Sequence, residues 1–435
     1  MIIASMMFVI GAALQLTGHV ATFYVGCFLT GLGVGPITVI APLYVPQIAP
    51  PQFRGRCIGI FEICYQLGGL MGFWINYGVN LHISGSSGVQ WRIPVGMQLP
   101  LMLVFLAAIV FLPETPRFLI KTGSVDAATQ VLSKLRNLDR THEYIQQEVT
   151  DIRDELNIER TLMGANNEDS QLQTFKRQIK ECTKRNILYR ISIGVVTQFF
   201  GQLSGINGIS YSSPRIFRSL GVQGKSAGLF ATGIYGVVKA IAALIACGYL
   251  VDRIGRRTLL LAGASIMSFS NFFVGSYIKI GNQVKPMHRS AEEALQRVLS
   301  SIHLYVIGFV SSFAGVPFIL ASETVPISVR AISATLGAAT QWIMNVVVSK
   351  ATPYLITDIG HGTFFSFGSC FVGGIYVWFF VPETKSLPLE HMAVAFGHED
   401  VVSDHRRLSN KEEEVGGVRE IDETREPERG LPSRV

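Results

Sequence analysis

The first fifty-three residues contain no Lys, Arg, Asp or Glu, so the chain opens without the charged n-region of a secretory signal peptide. Six cysteines (Cys27, Cys57, Cys64, Cys182, Cys247, Cys370) are scattered with no C-x-x-C spacing, which argues against a metal site or a disulfide framework. Nearly all fall in apolar segments and read as buried thiols. No N-x-[ST] sequon occurs, so glycosylation gives no marker of sidedness. There is also no nucleophile and base set, no metal-ligand cluster and no glycine-rich phosphate loop after a strand; an enzyme reading has no support, and no cofactor or metal is implied. Only 16% of the residues are charged, and the net charge of +6 arises largely in connecting segments. It reads as a topological signal, with no nucleic-acid partner implied.

What the chain has in quantity is apolar sequence. Nearly half of its 435 residues are hydrophobic, gathered in blocks of about twenty, the length that crosses a bilayer as helix. The blocks run over 2–18, 22–45, 57–79, 93–112, 188–211, 227–250, 258–278, 302–324, 332–356 and 363–381. The expectation is an all-α polytopic membrane protein with ten spans, its partner the lipid bilayer. Glycines within the blocks, Gly31, Gly33, Gly35, Gly68, Gly69 and Gly72, read as points of close helix packing. Arg54, Arg56, Arg117, Lys121, Lys134, Arg136, Arg253, Arg256 and Arg257 fall in loops that share one side if ten helices alternate. Excess Lys and Arg mark the cytoplasmic side, which puts both termini inside. Lys279, Lys285, Arg289 and Arg297 in an opposing loop reduce that asymmetry.

Between Pro113 and Asn186 the blocks stop, and Asp126 to Asn157 alternates charged and apolar residues at helical spacing. Four segments are expected: an incomplete N-terminal bundle of four spans (1–112), a cytoplasmic helical insert (113–186), a six-helix C-terminal bundle (187–386) and a disordered cytoplasmic tail (387–435). The tail is rich in Glu, Asp, Arg and Pro with few large apolar residues. An internal repeat is visible. Leu112-Pro113-Glu114-Thr115 recurs as Val381-Pro382-Glu383-Thr384, and the run ending Phe53-Arg54-Gly55 is echoed around Arg330, at offsets of 269 and 276 residues.

Polar residues inside the blocks are few, and three pairs share a helical face at i,i+4: Glu62 with Gln66, Gln198 with Gln202, and Gln341 with Asn345. Interhelical hydrogen bonding as packing glue is one reading; three faces converging on one cavity is the other. The span from Ile187 carries Gly201, Gly205 and Gly208, and can unwind where backbone meets a ligand or bends. Lys239 lies near the middle of its span, where a cation costs about 2.5–3.5 kcal/mol and needs compensation. Either a structural partner such as Glu62 or a helix carbonyl supplies it, or a carboxylate on a bound solute does.

Four short motifs in order carry a family resemblance: Pro113-Glu114-Thr115-Pro116-Arg117, Gly201-Gln202-Leu203-Ser204-Gly205-Ile206-Asn207, Asp252-Arg253-Ile254-Gly255-Arg256-Arg257 and Val381-Pro382-Glu383-Thr384-Lys385. Up to about Glu390 the chain resembles the sugar porters of the major facilitator superfamily. Gly72 to Val79 and Tyr235 to Lys239 are similar to the fungal subgroup of quinate permeases and hexose transporters. The resemblance implies two parallel six-helix repeats with a solute site between them, ten of the usual twelve helices being present. The repeat offsets put the expected first two helices before Met1. It further implies transport of a sugar or a quinate-type ring acid by alternating access, a proton as co-substrate, and residence in the plasma membrane. The substrate-binding positions would be Glu62, Gln66, Gln198, Gln202, Asn207, Lys239, Phe318, Gln341, Trp342 and Asn345. A cytoplasmic gate of charge pairs would use Arg54, Glu114, Arg117, Asp252, Arg256, Arg257, Glu323, Arg330 and Glu383. Departures from the family pattern point away from plain hexose recognition: Gly201 stands where a first glutamine is expected, Phe318 where many hexose carriers place tryptophan, Glu62 for a glutamine and Gln47 for a glutamate. The alternative reading is a truncated, non-transporting sensor or regulatory relative.

Overall fold

The computed structural model describes residues 1–49, 54–85, 87–162, 171–219, 225–281 and 290–383. Met1–Val381 form one compact unit, and Pro382 and Glu383 belong to a second. The expected disordered tail, the Pro51 to Phe53 run, Thr384 and Lys385 of the last motif, and the loop charges Lys285 and Arg289 lie outside the described residues.

All regular structure among the described residues is helical, and each of the ten apolar blocks falls on helix. Helices α1 (Ile2–Gln15) and α2 (Val20–Ile48) form a hairpin, α3 (Arg54–His82) follows, and α4 (Val89–Gly96) runs into α5 (Gln98–Phe111). Four helices come next: α6 (Pro116–Lys121), α7 (Val125–Arg136), α8 (Glu143–Leu162) and α9 (Gln171–Cys182). The remaining blocks are broken more often. α10 (Arg185–Leu203) and α11 (Ile206–Ser219) share one block, and α12 (Lys225–Ile245) passes through a π-helical turn, Ala246–Leu250, into α13 (Val251–Ile254). After α14 (Arg256–Gly281), α15 (Ser290–Phe309) continues through a second π-helical turn, Val310–Ala314, into α16 (Val316–Glu323). α17 (Ile327–Asp358), α18 (Gly362–Gly368) and α19 (Phe371–Phe380) complete the set.

Seven helical stretches among the described residues are long and apolar enough to cross a membrane. The other three blocks fall short for separate reasons: α1 is apolar but has 14 residues, while α3 and the α10–α11 block carry most of the polar residues singled out above. Large apolar side chains cover the outer surface, with Phe111 86% and Phe379 74% exposed. Such a surface suits lipid and not water.

Close packing of α1 on α2 rests on glycine, though not on all the glycines the sequence suggests. A Cβ at Gly26 would sit 2.6 Å from the Gly11 carbonyl oxygen, and one at Gly33 the same distance from that of Ala4. Only hydrogen side chains permit this approach of the two backbones. Gly31, Gly35, Gly68, Gly69 and Gly72 instead face open space. The cysteines divide similarly: Cys247 and Cys370 are buried and Cys182 half-buried, but Cys27 and Cys64 are exposed.

The segment between the apolar blocks has its own small core, in which Leu132 and Ala128 of α7 meet Ile145, Val149 and Leu156 of α8 and Ile120 of α6. Its first helix begins on the Pro-Glu-Thr-Pro motif. The Thr115 hydroxyl accepts from the Phe118 amide at 3.2 Å, and Pro116 takes the first helical turn, the arrangement that satisfies an N-terminal amide without a donor being wasted. Arg136 ties this core to the membrane helices. It grips Glu148 through two bonds, of 2.7 and 3.2 Å, and donates to the Ile48 carbonyl at the C-terminal end of α2 at 3.0 Å, where a cation is also favoured by the helix dipole.

Gly26→Val is expected to lower the thermal midpoint of the purified protein by several degrees, as overpacking of about 1–3 kcal/mol does. Gly31→Val, five residues along the same helix, should leave it unchanged; thermal unfolding followed by intrinsic fluorescence compares the two.

Candidate functional site

The block holding α10 and α11 breaks where the sequence has Ser204-Gly205. Gly205 takes φ +89°, a left-handed conformation that a side chain resists, and a Cβ there would meet the Phe367 ring at 2.5 Å. The break frees backbone groups that a membrane protein has to satisfy internally. Tyr305 of α15 donates its hydroxyl to the Ser204 carbonyl at 2.9 Å, and Ser204 donates to the Gly201 carbonyl at 2.7 Å. Across the break, Asn207 Nδ2 donates to Gln202 Oε1 at 2.6 Å. One turn earlier, Gln198 is 2% exposed and its Nε2 has no hydrogen-bond partner.

Gln198, Gln202 and Asn207 form one wall of a cavity that encloses, with its open mouth, about 680 Å³ of empty space. The second wall is α3, where Gln66 donates to the Glu62 carboxylate. α12 contributes Lys239, α16 Phe318, and α17 Gln341 and Trp342. Lys239 and Glu62 face the same space and act on each other through their charges. No ion pair joins them among the described residues.

Nine of the ten positions expected to bind substrate therefore lie around one cavity: Glu62, Gln66, Gln198, Gln202, Asn207, Lys239, Phe318, Gln341 and Trp342. Asn345 is not on its wall. It is buried one turn beyond Gln341, and its Oδ1 accepts from Ser349 of the same helix at 2.9 Å. Beyond Phe318 and Trp342, sequence reasoning missed four further aromatics of the lining, Phe61, Tyr65, Phe309 and Phe313. Phe61 and Tyr65 flank Glu62, but an aromatic in an apolar helix carries no mark that separates cavity wall from lipid face. Phe313 is turned inward by the π-helical turn Val310–Ala314, a local insertion common at functional sites and with no sequence signature.

The expected gate residues are less fully described. The side chains of Arg54, Asp252 and Glu323 lie outside the described set, and Glu383 belongs to the second unit. Glu114 is exposed beside Tyr44, whose hydroxyl donates to the Pro113 carbonyl at 2.8 Å. Arg117, Arg256 and Arg330 are half-buried and engaged in contacts. Arg257 stays within the C-terminal helices, donating to the Trp378 carbonyl at 2.7 Å and lying 5.2 Å from that ring's centre.

The profile of the family described as "Sugar (and other) transporter" matches residues 1–396. The chain belongs to this family. It is a multi-pass membrane protein of a transporter family, similar to the quinate permease of Emericella nidulans at 35% identity, over 93% of this chain and 76% of that one. A probable quinate permease of Aspergillus clavatus is 36% identical, over 90% of this chain and 72% of its own length. The helices superpose on the proton:xylose symporter XylE bound to 6-bromo-6-deoxy-D-glucose with a TM-score of 0.73 at 25% identity, covering 91% of this chain and 82% of that one. The fold is thus that of the major facilitator superfamily.

Tyr305→Phe is expected to destabilise this family member by about 1–3 kcal/mol, because the Ser204 carbonyl loses its donor where no water replaces it. A lower thermal midpoint, with Tyr277→Phe on the neighbouring α14 as the comparison, measures it.

Proposed function

We propose that this protein carries a polyhydroxylated ring acid of the quinate type across the membrane by alternating access, with Lys239 meeting the carboxylate. The observation that carries this reading is a lysine on a cavity wall, beside a carboxylate already engaged by Gln66, with no ion pair among the described residues. A half-buried cation at that depth in a membrane helix is stabilised by an anionic ligand and penalised without one. Gln198 Nε2, lacking a partner, offers a donor to a ring hydroxyl. The aromatic faces of Phe61, Tyr65, Phe313, Phe318 and Trp342 suit the apolar face of a six-membered ring. Similarity to proteins named quinate permeases points the same way.

The finer features belong to the same proposal. Ten of the helices, whole or broken, cross a plasma membrane, with four before the 113–186 insert and six after it and both termini cytoplasmic. Coupling is to a proton, as in the symporter the fold matches. Glu62 is its carrier here, since it faces both the cavity and Lys239. Expressed in transport-deficient yeast, the protein should take up labelled quinate in preference to labelled glucose. Lys239→Met should cut quinate uptake at least about thirtyfold, the lower end of what loss of one partner in a charge pair inside a protein costs. Glu62→Gln should keep binding but abolish the dependence of uptake on external pH. Binding of quinate without uptake would favour the regulatory reading; undiminished uptake by Lys239→Met would remove the carboxylate role.

A further inference from the structure

Helix α9 is amphipathic in an inverted sense. Leu172, Phe175 and Ile179 are 64%, 51% and 46% exposed, and at 3.6 residues per turn they form one stripe about 60° wide. The face turned toward the protein is the polar one: Thr174, Arg177, Gln178 and Glu181 are half-buried, Thr174 and Arg177 are engaged in contacts, and Glu181 pairs with Lys184 at 3.1 Å. A helix packed on a protein in water does the opposite. Along one edge of the exposed stripe stand three further exposed residues, Lys176, Lys180 and Gln173, two of them cationic.

The position of the helix says what covers the stripe. α9 packs on α10 and α17 and is separated from the start of α10, a membrane helix, by Thr183 and Lys184 alone. Exposure of apolar side chains continues there, with Leu188 among the outward residues of the first turn of α10. The stripe therefore sits beside a membrane helix that exposes apolar side chains of its own, with the exposed polar run Thr183 to Asn186 between them. Its lysines are placed to keep their stems along apolar surface while the ammonium groups rise to the headgroups.

We propose that α9 is an interfacial membrane anchor, its stripe sunk at the boundary of headgroups and acyl chains and Lys176 and Lys180 bound to anionic phospholipid. The site lies on α9 and is independent of the solute the cavity takes. Because α9 is packed on α17, which bears Gln341 and Trp342, the lipid contact holds the end of a helix that also forms the cavity wall.

The test is segment-resolved hydrogen exchange on the full chain in nanodiscs of phosphatidylcholine alone and of phosphatidylcholine with phosphatidylserine. The amides of 172–182 should exchange about tenfold more slowly with phosphatidylserine, the order of effect two surface lysines give at an anionic leaflet. Lys176→Gln with Lys180→Gln should exchange equally in both lipids, and Lys176→Arg with Lys180→Arg should restore the difference. Phe175→Ser with Ile179→Ser should exchange fast in both, while α7 and α8 keep wild-type protection and so report an intact fold. Equal exchange of the wild type in the two lipids would overturn the proposal. So would a lipid difference that survives the glutamine pair, which would place the anionic contact elsewhere.

Discussion

Inside a bilayer there is no water to satisfy a polar group, so each one finds a partner within the protein or faces a cavity the protein keeps wet. Much of this molecule's construction answers that constraint. Gln15 bonds Thr30 across the α1–α2 hairpin, Ser210 and Tyr235 join α11 to α12, and serine and threonine hydroxyls return to carbonyls of their own helices. The groups left over are informative. Ser270 Oγ, Asn271 Nδ2, Ser333 Oγ and Thr363 Oγ1 also lack a partner among the described residues, but Gln198 Nε2 is on the cavity wall, which it shares with Lys239.

The broken helices belong to that economy of hydrogen bonds. A straight α10–α11 would need no tyrosine at its middle; the break at Gly205 creates a free carbonyl, and Tyr305 fills the need from a neighbouring helix. What the break achieves is the placing of Gln202 and Asn207 side by side at 2.6 Å, from two helical segments that a continuous helix would rotate apart. The π-helical turn at Val310–Ala314 does comparable work with Phe313. Close glycine contacts, Gly26 on Gly11 and Gly194 on Ala321, hold the helices near enough for these side chains to meet.

Most of the architecture was legible in the sequence, because block length and apolarity are direct consequences of bilayer thickness. The i,i+4 pairs Glu62/Gln66 and Gln198/Gln202 were legible for a related reason: polar residues are costly in lipid, and regular spacing puts them on one face. Asn345 satisfied the same pattern and lies off the wall, since spacing specifies a face and not how far along the helix the cavity extends. Phe318 and Trp342 were named from the family resemblance, whereas Phe61, Tyr65, Phe309 and Phe313 were illegible because lipid and cavity wall both accept aromatics. Glycine misled at Gly31 and Gly35, where the backbone meets nothing, and informed at Gly33. The inverted face of α9 was also beyond the sequence, for amphipathicity does not say which side meets the protein.

As proposed, Lys239 makes this cavity selective for an anion. The most direct measurement is equilibrium binding to the purified protein of quinate and of its methyl ester, which keeps the ring and its hydroxyls and loses the charge. The acid should bind at least about tenfold more tightly than the ester, consistent with a charge pair inside a protein, and Lys239→Met should make the two equal. Equal affinity of the wild-type protein for acid and ester would contradict it.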